Sequence, residues 1–266
     1  MDKGLKLLRF LIPLFIIFPF LHAESWYDGI DIKIEASMYQ PSLDGSILNN
    51  YSNTDLQNDF KYSKAKASYF GVEILLDYDY VPNIDINFLN MKDNKDTILT
   101  QPRVIADGDF NGTTSSAIEF SVLNTVIYQD FKQKGSVLSL FGKKFYSGDI
   151  EFDIGINIKL ISWHYEIQDL KDLTKSSSWV KADMFIPLPY LGFKYYLYDI
   201  TAFAQSSALS FSEAKSTNYL LGIDYLVIDD LYLSVSYLYE QFKAVQRQDT
   251  VDFYTKGYKF GFKYAF

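Results

Sequence analysis

The chain of 266 residues contains no cysteine. Without thiols it forms neither a disulfide framework nor a thiolate metal site. A chain of this length must then be held by a large apolar core or by a sheet that closes on itself.

Histidine is scarce, with two in the chain, and motifs for cofactors are missing. No Gly-x-x-x-x-Gly-Lys run is present to cradle a phosphate. The acidic run Asp107-Gly108-Asp109 resembles the start of a calcium loop, but Ile118 stands where the EF-hand needs a bidentate Glu. We therefore predict an acidic turn there, no metal site and no cofactor.

Long apolar runs are also few, and the clearest one, from Phe10 to Leu21, lies near the N-terminus. It is short for a membrane-spanning helix, which needs about 20 apolar residues. Three basic residues precede it, Lys3, Lys6 and Arg9. This layout, with the small Ala23 after the run, predicts a secretory signal peptide over residues 1–23 and one mature domain over 24–266. A retained signal anchor is the alternative.

Basic residues are fewer than acidic ones. The chain has 25 Lys and Arg against 33 Asp and Glu, for a formal net charge of −8. Loss of the signal segment would make the mature protein more acidic. This charge argues against a nucleic-acid partner.

Aromatic residues are abundant, at 18% of the chain, and they alternate at its C-terminus. The even positions there hold Tyr258, Phe260, Phe262, Tyr264 and Phe266, and the odd positions hold lysine, glycine and alanine. Successive side chains of a strand point to opposite faces, so one face of this strand is aromatic. Period-2 alternation also marks much of the chain, for example residues 30–38 and 152–160.

A terminal strand with alternating aromatics and a final Phe resembles the assembly signal of bacterial outer-membrane β-barrel proteins. The resemblance implies an antiparallel up-and-down transmembrane β-barrel in the cell outer membrane. It implies recognition by the outer-membrane assembly machinery through Tyr258, Phe260, Phe262, Tyr264 and Phe266, and contact with outer-membrane lipid and lipopolysaccharide. It implies no substrate, and it leaves the oligomeric state open.

The pattern predicts about ten strands, with eight or twelve as alternatives. Short turns are expected at 79–83, 187–192 and 228–230. Longer loops are expected at 40–62, 92–114, 167–177, 206–216 and 243–252. Outer-membrane barrels show this asymmetry, and an even strand count places both termini on the periplasmic side. Segment 131–149 is too long for a periplasmic turn, so it is interpreted as a long inward turn, a short helix or an extra hairpin.

Charged residues alternate with the apolar ones, and we expect them to face the lumen. They are Asp31, Lys33, Glu35, Glu73, Glu119, Asp153, Lys159, Lys181, Asp183, Asp224, Lys259 and Lys263. A ten-stranded barrel has a narrow lumen. The mixed signs predict an inward network of ion pairs, which either stabilises the lumen or lines a narrow solute path.

The functional hypotheses differ in the role of His164. It continues the even, apolar face of its strand, beside Trp163 and Tyr165, and we interpret it as an interfacial ring. The favoured hypothesis is a non-catalytic envelope component, narrow channel or surface-binding protein. The first alternative is a lipid-modifying outer-membrane enzyme that depends on His164, since the barrel enzymes it would resemble use a catalytic histidine. The second is a soluble periplasmic β-barrel that binds an apolar ligand.

Overall fold

The computed structural model describes most of the chain after the expected signal segment, which lies outside the described residues. The described residues are 29–48, 53–76, 78, 80–105, 108–140, 143–171, 177–211, 214–246 and 249–266. No helix among them is long and apolar enough to cross a bilayer.

The described chain is a single antiparallel sheet of eleven strands. The strands are β1 (Ile30–Leu48), β2 (Asn53–Asp55), β3 (Ala67–Leu76), β4 (Asn83–Ile105), β5 (Gly108–Leu140), β6 (Lys143–Asp169), β7 (Ser178–Leu197), β8 (Ile200–Ser210), β9 (Ala214–Ile228), β10 (Leu231–Gln246) and β11 (Asp249–Ala265). Neighbours in sequence pair with each other, and β11 pairs with β1, which closes the ring. The short β2 joins the end of β1, whose next barrel neighbour is β3. Ten strands therefore form an up-and-down barrel, as predicted.

The barrel has two ends. One end carries the short connections β3–β4, β7–β8 and β9–β10 together with Gly29 and Phe266, and we call it the turn end. The other end carries the connections that follow β1, β4, β6, β8 and β10, and we call it the loop end. The first and last described residues, Gly29 and Phe266, both lie at the turn end, as the even strand count predicted.

Near the turn end, apolar side chains face outward and polar ones inward. On β6, Phe152, Ile154 and Ile156 are half or more exposed, whereas Asp153 and Lys159 are fully buried inside. The same outward apolar face appears on β1, β9, β10 and β11. We call this outward apolar surface the belt. It confirms the alternation predicted for these strands.

Near the loop end, the same alternation continues but the polarity is reversed. On β6, Ile161, Trp163 and Tyr165 are buried in the interior, while Ser162 and His164 face outward. On β1 the inward positions change likewise from Glu35 to apolar residues such as Leu43 and Ile47. No residue is skipped on β6, so side-chain parity is kept while the interior changes from charged to apolar.

This reversal corrects three predicted lumen charges. Glu119, Lys181 and Asp183 point outward, because they lie in the loop-end half, where the interior takes the apolar side chains. Ion pairs join Lys181 to Asp183 and Lys92 to Glu119 on the outer wall. The apolar residues beside Glu119, Ile118 and Phe120, are buried inside rather than turned outward.

Two long loops were predicted wrongly, because the strands continue through much of them. Residues 40–48 belong to β1 and pair with β11 up to Leu48 opposite Thr250. Residues 92–105 and 108–114 extend β4 and β5 as one hairpin. Their outward positions are polar because they belong to the loop-end half, and this polarity had suggested loops. The connections predicted within 167–177, 206–216 and 243–252 are in the correct places, but the strands enter them from both sides.

The turn predicted at 187–192 is also wrong. Strand β7 continues through Pro187 and Pro189, and the chain turns at Tyr198 and Asp199 instead. Pairing between β7 and β8 begins at Tyr190, so both prolines lie where β7 has a free edge toward β8. A proline is tolerated there because no ladder bond requires its missing N–H. The turns predicted at 79–83 and 228–230 are confirmed.

Segment 131–149 extends the hairpin of β5 and β6. Their pairing continues beyond the turn end to Leu140 opposite Lys143, with irregular register after Gln133. The extra-hairpin interpretation is therefore partly right, but the hairpin adds no strands, and the barrel count stays at ten rather than twelve.

Candidate functional site

The candidate site is the barrel interior, where a charged lumen meets an apolar core. The charged part is centred on Lys194 of β7, which is 7% exposed. Its ammonium lies 2.8 Å from Glu151, 3.1 Å from Glu73 and 3.5 Å from Asp153. The Tyr128 hydroxyl also donates to Glu73, at 2.7 Å. One buried cation thus joins carboxylates from β3 and β6.

A second cluster links β1, β9 and β11. Lys259 lies 2.6 Å from Glu35, and Lys263 lies 2.7 Å from Asp224 and 3.9 Å from Glu35. The Lys259 ammonium also lies 3.6 Å from the centre of the Tyr69 ring, a distance at which a cation–π contact is attractive. Lysines of the aromatic C-terminal strand therefore bind carboxylates of β1 and β9 along the inner wall.

A third ion pair lies deeper in the barrel. The side chains of Lys159 and Glu240 are 0% and 1% exposed, and their charged atoms are 2.5 Å apart. The Asn218 amide donates to the second oxygen of Glu240 at 2.6 Å. The charge of Lys159 is thus compensated within the interior, which burial of an ion requires.

A cavity of about 170 Å³ remains within the charged lumen. Its lining reaches Tyr198 and Asp199 of the β7–β8 turn, so it belongs to the turn end. Lys33, Glu73 and Asp85 contribute to its wall. Glu73 and Asp85 face each other directly across β3 and β4, and Lys33 lies 3.4 Å from Glu73 on the other side. Like charges opposite each other repel, so the nearby lysines are needed to hold this pair.

Aromatic side chains fill the interior of the loop-end half. Phe120, Trp163, Phe242 and Phe253 are each at most 1% exposed. The Phe120 ring centre lies 5.1 Å from that of Phe253 and 5.7 Å from that of Phe242, within the range of favourable ring pairs. We call this packed interior the aromatic core.

The segment after β1, residues 53–66, covers the aromatic core from the loop end. Leu56, Phe60 and Tyr62 are fully buried, and the Phe60 ring lies 5.6 Å from the Tyr165 ring. The hydroxyls of Tyr62 and Ser116 are 3.0 Å apart, and burial raises the pKa of the Tyr62 hydroxyl. An ion pair of 2.6 Å from Arg103 to Asp59 fixes the segment to β4. Side chains therefore close the loop end of the interior.

The sequence-predicted site residues divide into three groups. Those that face the lumen are Lys33, Glu35, Glu73, Asp153, Lys159, Asp224, Lys259 and Lys263. Asp31 has the inward parity but is exposed at the turn end. Glu119, Lys181 and Asp183 lie on the outer wall, as described above. The lumen charges thus come together in three ion-pair clusters that sequence spacing alone does not reveal.

Lys194, Glu151 and the capping segment were missed. The turn wrongly placed at 187–192 hid the fact that Lys194 continues the inward parity of Ala182 and Ile186. The isolated apolar residues Phe60 and Tyr62 within a polar stretch were the available signal for the cap.

The C-terminal residues lie on the outer wall. Tyr258, Phe260, Phe262, Tyr264 and Phe266 are between 44% and 60% exposed, on the same face as the belt. The backbone N–H of Phe266 donates to the Ile32 carbonyl at 2.9 Å, so the last residue also joins the seam between β1 and β11.

His164 lies on the outer wall, on the face predicted for it. Its ring centre is 6.0 Å from that of Trp179. The neighbouring Ser162 hydroxyl donates to Asp183 at 2.8 Å.

No family model and no curated protein matches this chain. Solved structures with a similar course include the translocator domain of the autotransporter NalP from Neisseria meningitidis, at 11% identity and a TM-score of 0.40, covering 99% of each chain. The outer membrane protease OmpT from Escherichia coli matches at 10% identity and a TM-score of 0.40, covering 91% of this chain and 98% of its own. Ail of Yersinia pestis matches at 5% identity and a TM-score of 0.37, covering 88% of this chain and 99% of its own. Likenesses of this size identify no family and carry no inference about function.

Proposed function

We propose that the protein is an integral outer-membrane β-barrel whose turn-end half spans the bilayer and whose loop-end half stands outside it. The belt is the observation that carries this proposal. On β6 it runs over residues 152–160, close to the 9–11 residues that a transmembrane strand needs. The pairing of β11 with β1 leaves the sheet without a terminal strand, which favours a place in hydrocarbon, where an unpaired backbone group costs several kcal/mol.

The expected signal peptide and the aromatic C-terminal strand support the outer membrane as the location. A signal peptide would deliver the chain across the inner membrane. The outward aromatic face from Tyr258 to Phe266 is available to the assembly machinery that the resemblance implies. In this orientation the termini are periplasmic and the loop end faces the exterior.

Within that location, we propose a non-catalytic envelope component with a closed lumen, which presents its loop-end surface to partners. The aromatic core and the 53–66 cap fill the path that a solute would need. Most of the inward charges pair with one another at 2.5 to 3.5 Å. This pairing supports the interpretation that the charges stabilise the lumen, rather than the interpretation that they line a solute path.

Cell fractionation tests the location. We expect the processed protein to stay in the membrane pellet after a salt and urea wash, and to migrate as a heat-modifiable band. A monomer that is soluble in water without detergent would contradict the proposal and favour a soluble periplasmic barrel.

Planar-bilayer conductance tests the closed lumen. We expect no steady open level from the refolded protein, whether or not Lys33 and Glu73 are neutralised. A steady conductance that changes with those substitutions would support the narrow channel instead.

A further inference from the structure

The outer wall carries a groove that the proposed function does not use. It has a volume of about 430 Å³ and crosses β4 to β7 where the belt ends. Its wall includes Phe88, Leu123, Leu160 and Phe185 as well as the polar Ser121, Ser162 and Asp183.

The register of these strands arranges the groove in rows across the wall. Phe88, Leu123, Leu160 and Phe185 stand opposite one another and form an apolar row. The next row toward the loop end holds Asn90, Ser121, Ser162 and Asp183. The two serines are small, so a depression lies between the larger side chains of the flanking strands.

The third row is charged. It holds Lys92, Glu119, His164 and Lys181 in register. Lys92 pairs with Glu119, and Lys181 lies 2.7 Å from Asp183, which also accepts from Ser162. Trp179, 55% exposed, lies beside His164, at a level where tryptophan is favoured in membrane interfaces.

We propose that this groove binds one zwitterionic phospholipid, and this inference rests on the proposed membrane location. Along β6, the order from apolar Leu160 through Ser162 to His164 matches the order from acyl chain through glycerol to headgroup. The apolar row stands at the margin of the belt, so an acyl chain that lies against it contacts Leu123 and Leu160. The lipid headgroup then lies at the charged row.

The charges favour a zwitterionic headgroup over an anionic one. The two lysines of the third row, Lys92 and Lys181, pair with Glu119 of that row and Asp183 of the second, so this edge of the groove offers cations to a phosphate and anions to an ammonium. These four side chains sum to zero charge, and an anionic headgroup has no ammonium to place against the two carboxylates. Phosphatidylethanolamine has the matching pair of charges.

Lipid retention by the purified full-length protein tests the groove. The protein is reconstituted with equal amounts of phosphatidylethanolamine and phosphatidylglycerol, extracted in mild detergent, and its bound lipids are counted by native mass spectrometry. We expect one retained phosphatidylethanolamine for each chain. Ser162→Phe fills the depression, and we expect it to lower retention about tenfold, the factor that a few lost apolar contacts produce. Ser42→Phe on the outer wall of β1 is the matched control and should retain the lipid as the wild type does.

The double variant Lys181→Gln/Asp183→Asn tests the headgroup. It leaves the apolar row intact, so we expect a lipid still to be retained, with the preference for phosphatidylethanolamine reduced to near equality. A wild type that retains phosphatidylglycerol equally well, or prefers added lipid A, would overturn the headgroup assignment.

Heat-modifiable migration shows whether each variant folds, and Ser121→Leu is a smaller filling change if Ser162→Phe does not fold. Retention that neither filling variant changes would overturn the inference. A membrane-embedded wild type that retains no lipid would overturn this inference alone, whereas a water-soluble wild type would overturn the proposed function as well.

Discussion

Removal of Lys194 is the sharpest test of the lumen network. Lys194→Met keeps most of the side-chain volume and removes the charge. It leaves Glu73, Glu151 and Asp153 without the cation that contacts all three, and two of these carboxylates are 1% exposed. We therefore expect a large loss in the free energy of unfolding.

The magnitude follows from burial. At 2.8 Å and an effective dielectric constant near 20, one such pair has a gross Coulomb energy of about 6 kcal/mol. Desolvation of the ions offsets much of this energy, and loss of one partner from a buried pair typically costs about 3–5 kcal/mol. We expect a loss in this range for Lys194→Met.

Lys181→Met is the control, because it breaks an ion pair on the outer wall. Lys181 and Asp183 are 48% and 53% exposed, so solvent screens their attraction and the expected cost is about 0–1 kcal/mol. Both variants are refolded into phosphocholine vesicles, and urea unfolding is followed by tryptophan fluorescence. Adding Glu151→Gln to Lys194→Met should recover part of the loss, since the double variant buries one uncompensated charge fewer. Equal costs for the Lys194 and Lys181 variants would refute the claim that the lumen carboxylates depend on Lys194.

Three further predictions concern the cap, the C-terminus and the enzyme alternative. Phe60→Ala removes a fully buried ring from the cap, so we expect limited proteolysis to cut within 53–66 much faster than in the wild type. Lys64→Ala, at an exposed position of the same segment, is the control and should be cut at the wild-type rate. Equal rates for the two variants would mean that the Phe60 ring does not hold the segment. Deletion of Phe266 should impair membrane insertion because it removes both the terminal ring and the bond to Ile32, whereas a normal heat-modifiable barrel would count against the assembly-signal interpretation. His164→Ala should leave lipid hydrolase and acyltransferase assays unchanged; loss of a measurable wild-type activity would favour the lipid-modifying enzyme.

The strands and their number were predictable because period-2 alternation indicates a strand and the parity of its faces, whereas the closed barrel was implied by the resemblance of the C-terminal strand. In residues 30–38 and 152–160, the alternation of the sequence matches the alternation of outward and inward side chains in the structure. What alternation does not state is which face is inside. A bilayer turns apolar side chains outward, whereas water turns them inward, and in the proposed orientation β6 leaves the bilayer between Leu160 and Ile161.

The misplaced loops and charges have this same cause. Lys92 and Glu119 are outward because the interior of that half holds the apolar side chains, and the polar surroundings of Lys92 had suggested a loop. The ion-pair clusters were beyond sequence reasoning for another reason. Lys194 meets Glu73 across 121 positions of the chain, a contact that depends on the tilt and register of the whole barrel.

The central claim is a two-zone barrel, whose turn-end half lies in lipid and whose loop-end half lies in water. Depth measurement along β6 tests it most directly, and the absence of native cysteine makes this measurement practicable. Single cysteines are placed at each position from 152 to 167, labelled with a nitroxide, and compared for contact with oxygen in lipid and with a water-soluble nickel reagent. We predict that even positions from 152 to 160 contact lipid, that Ser162, His164 and Glu166 contact water, and that odd positions contact neither. Water contact at every even position, or a lipid signal that continues to Glu166, would contradict the two-zone barrel.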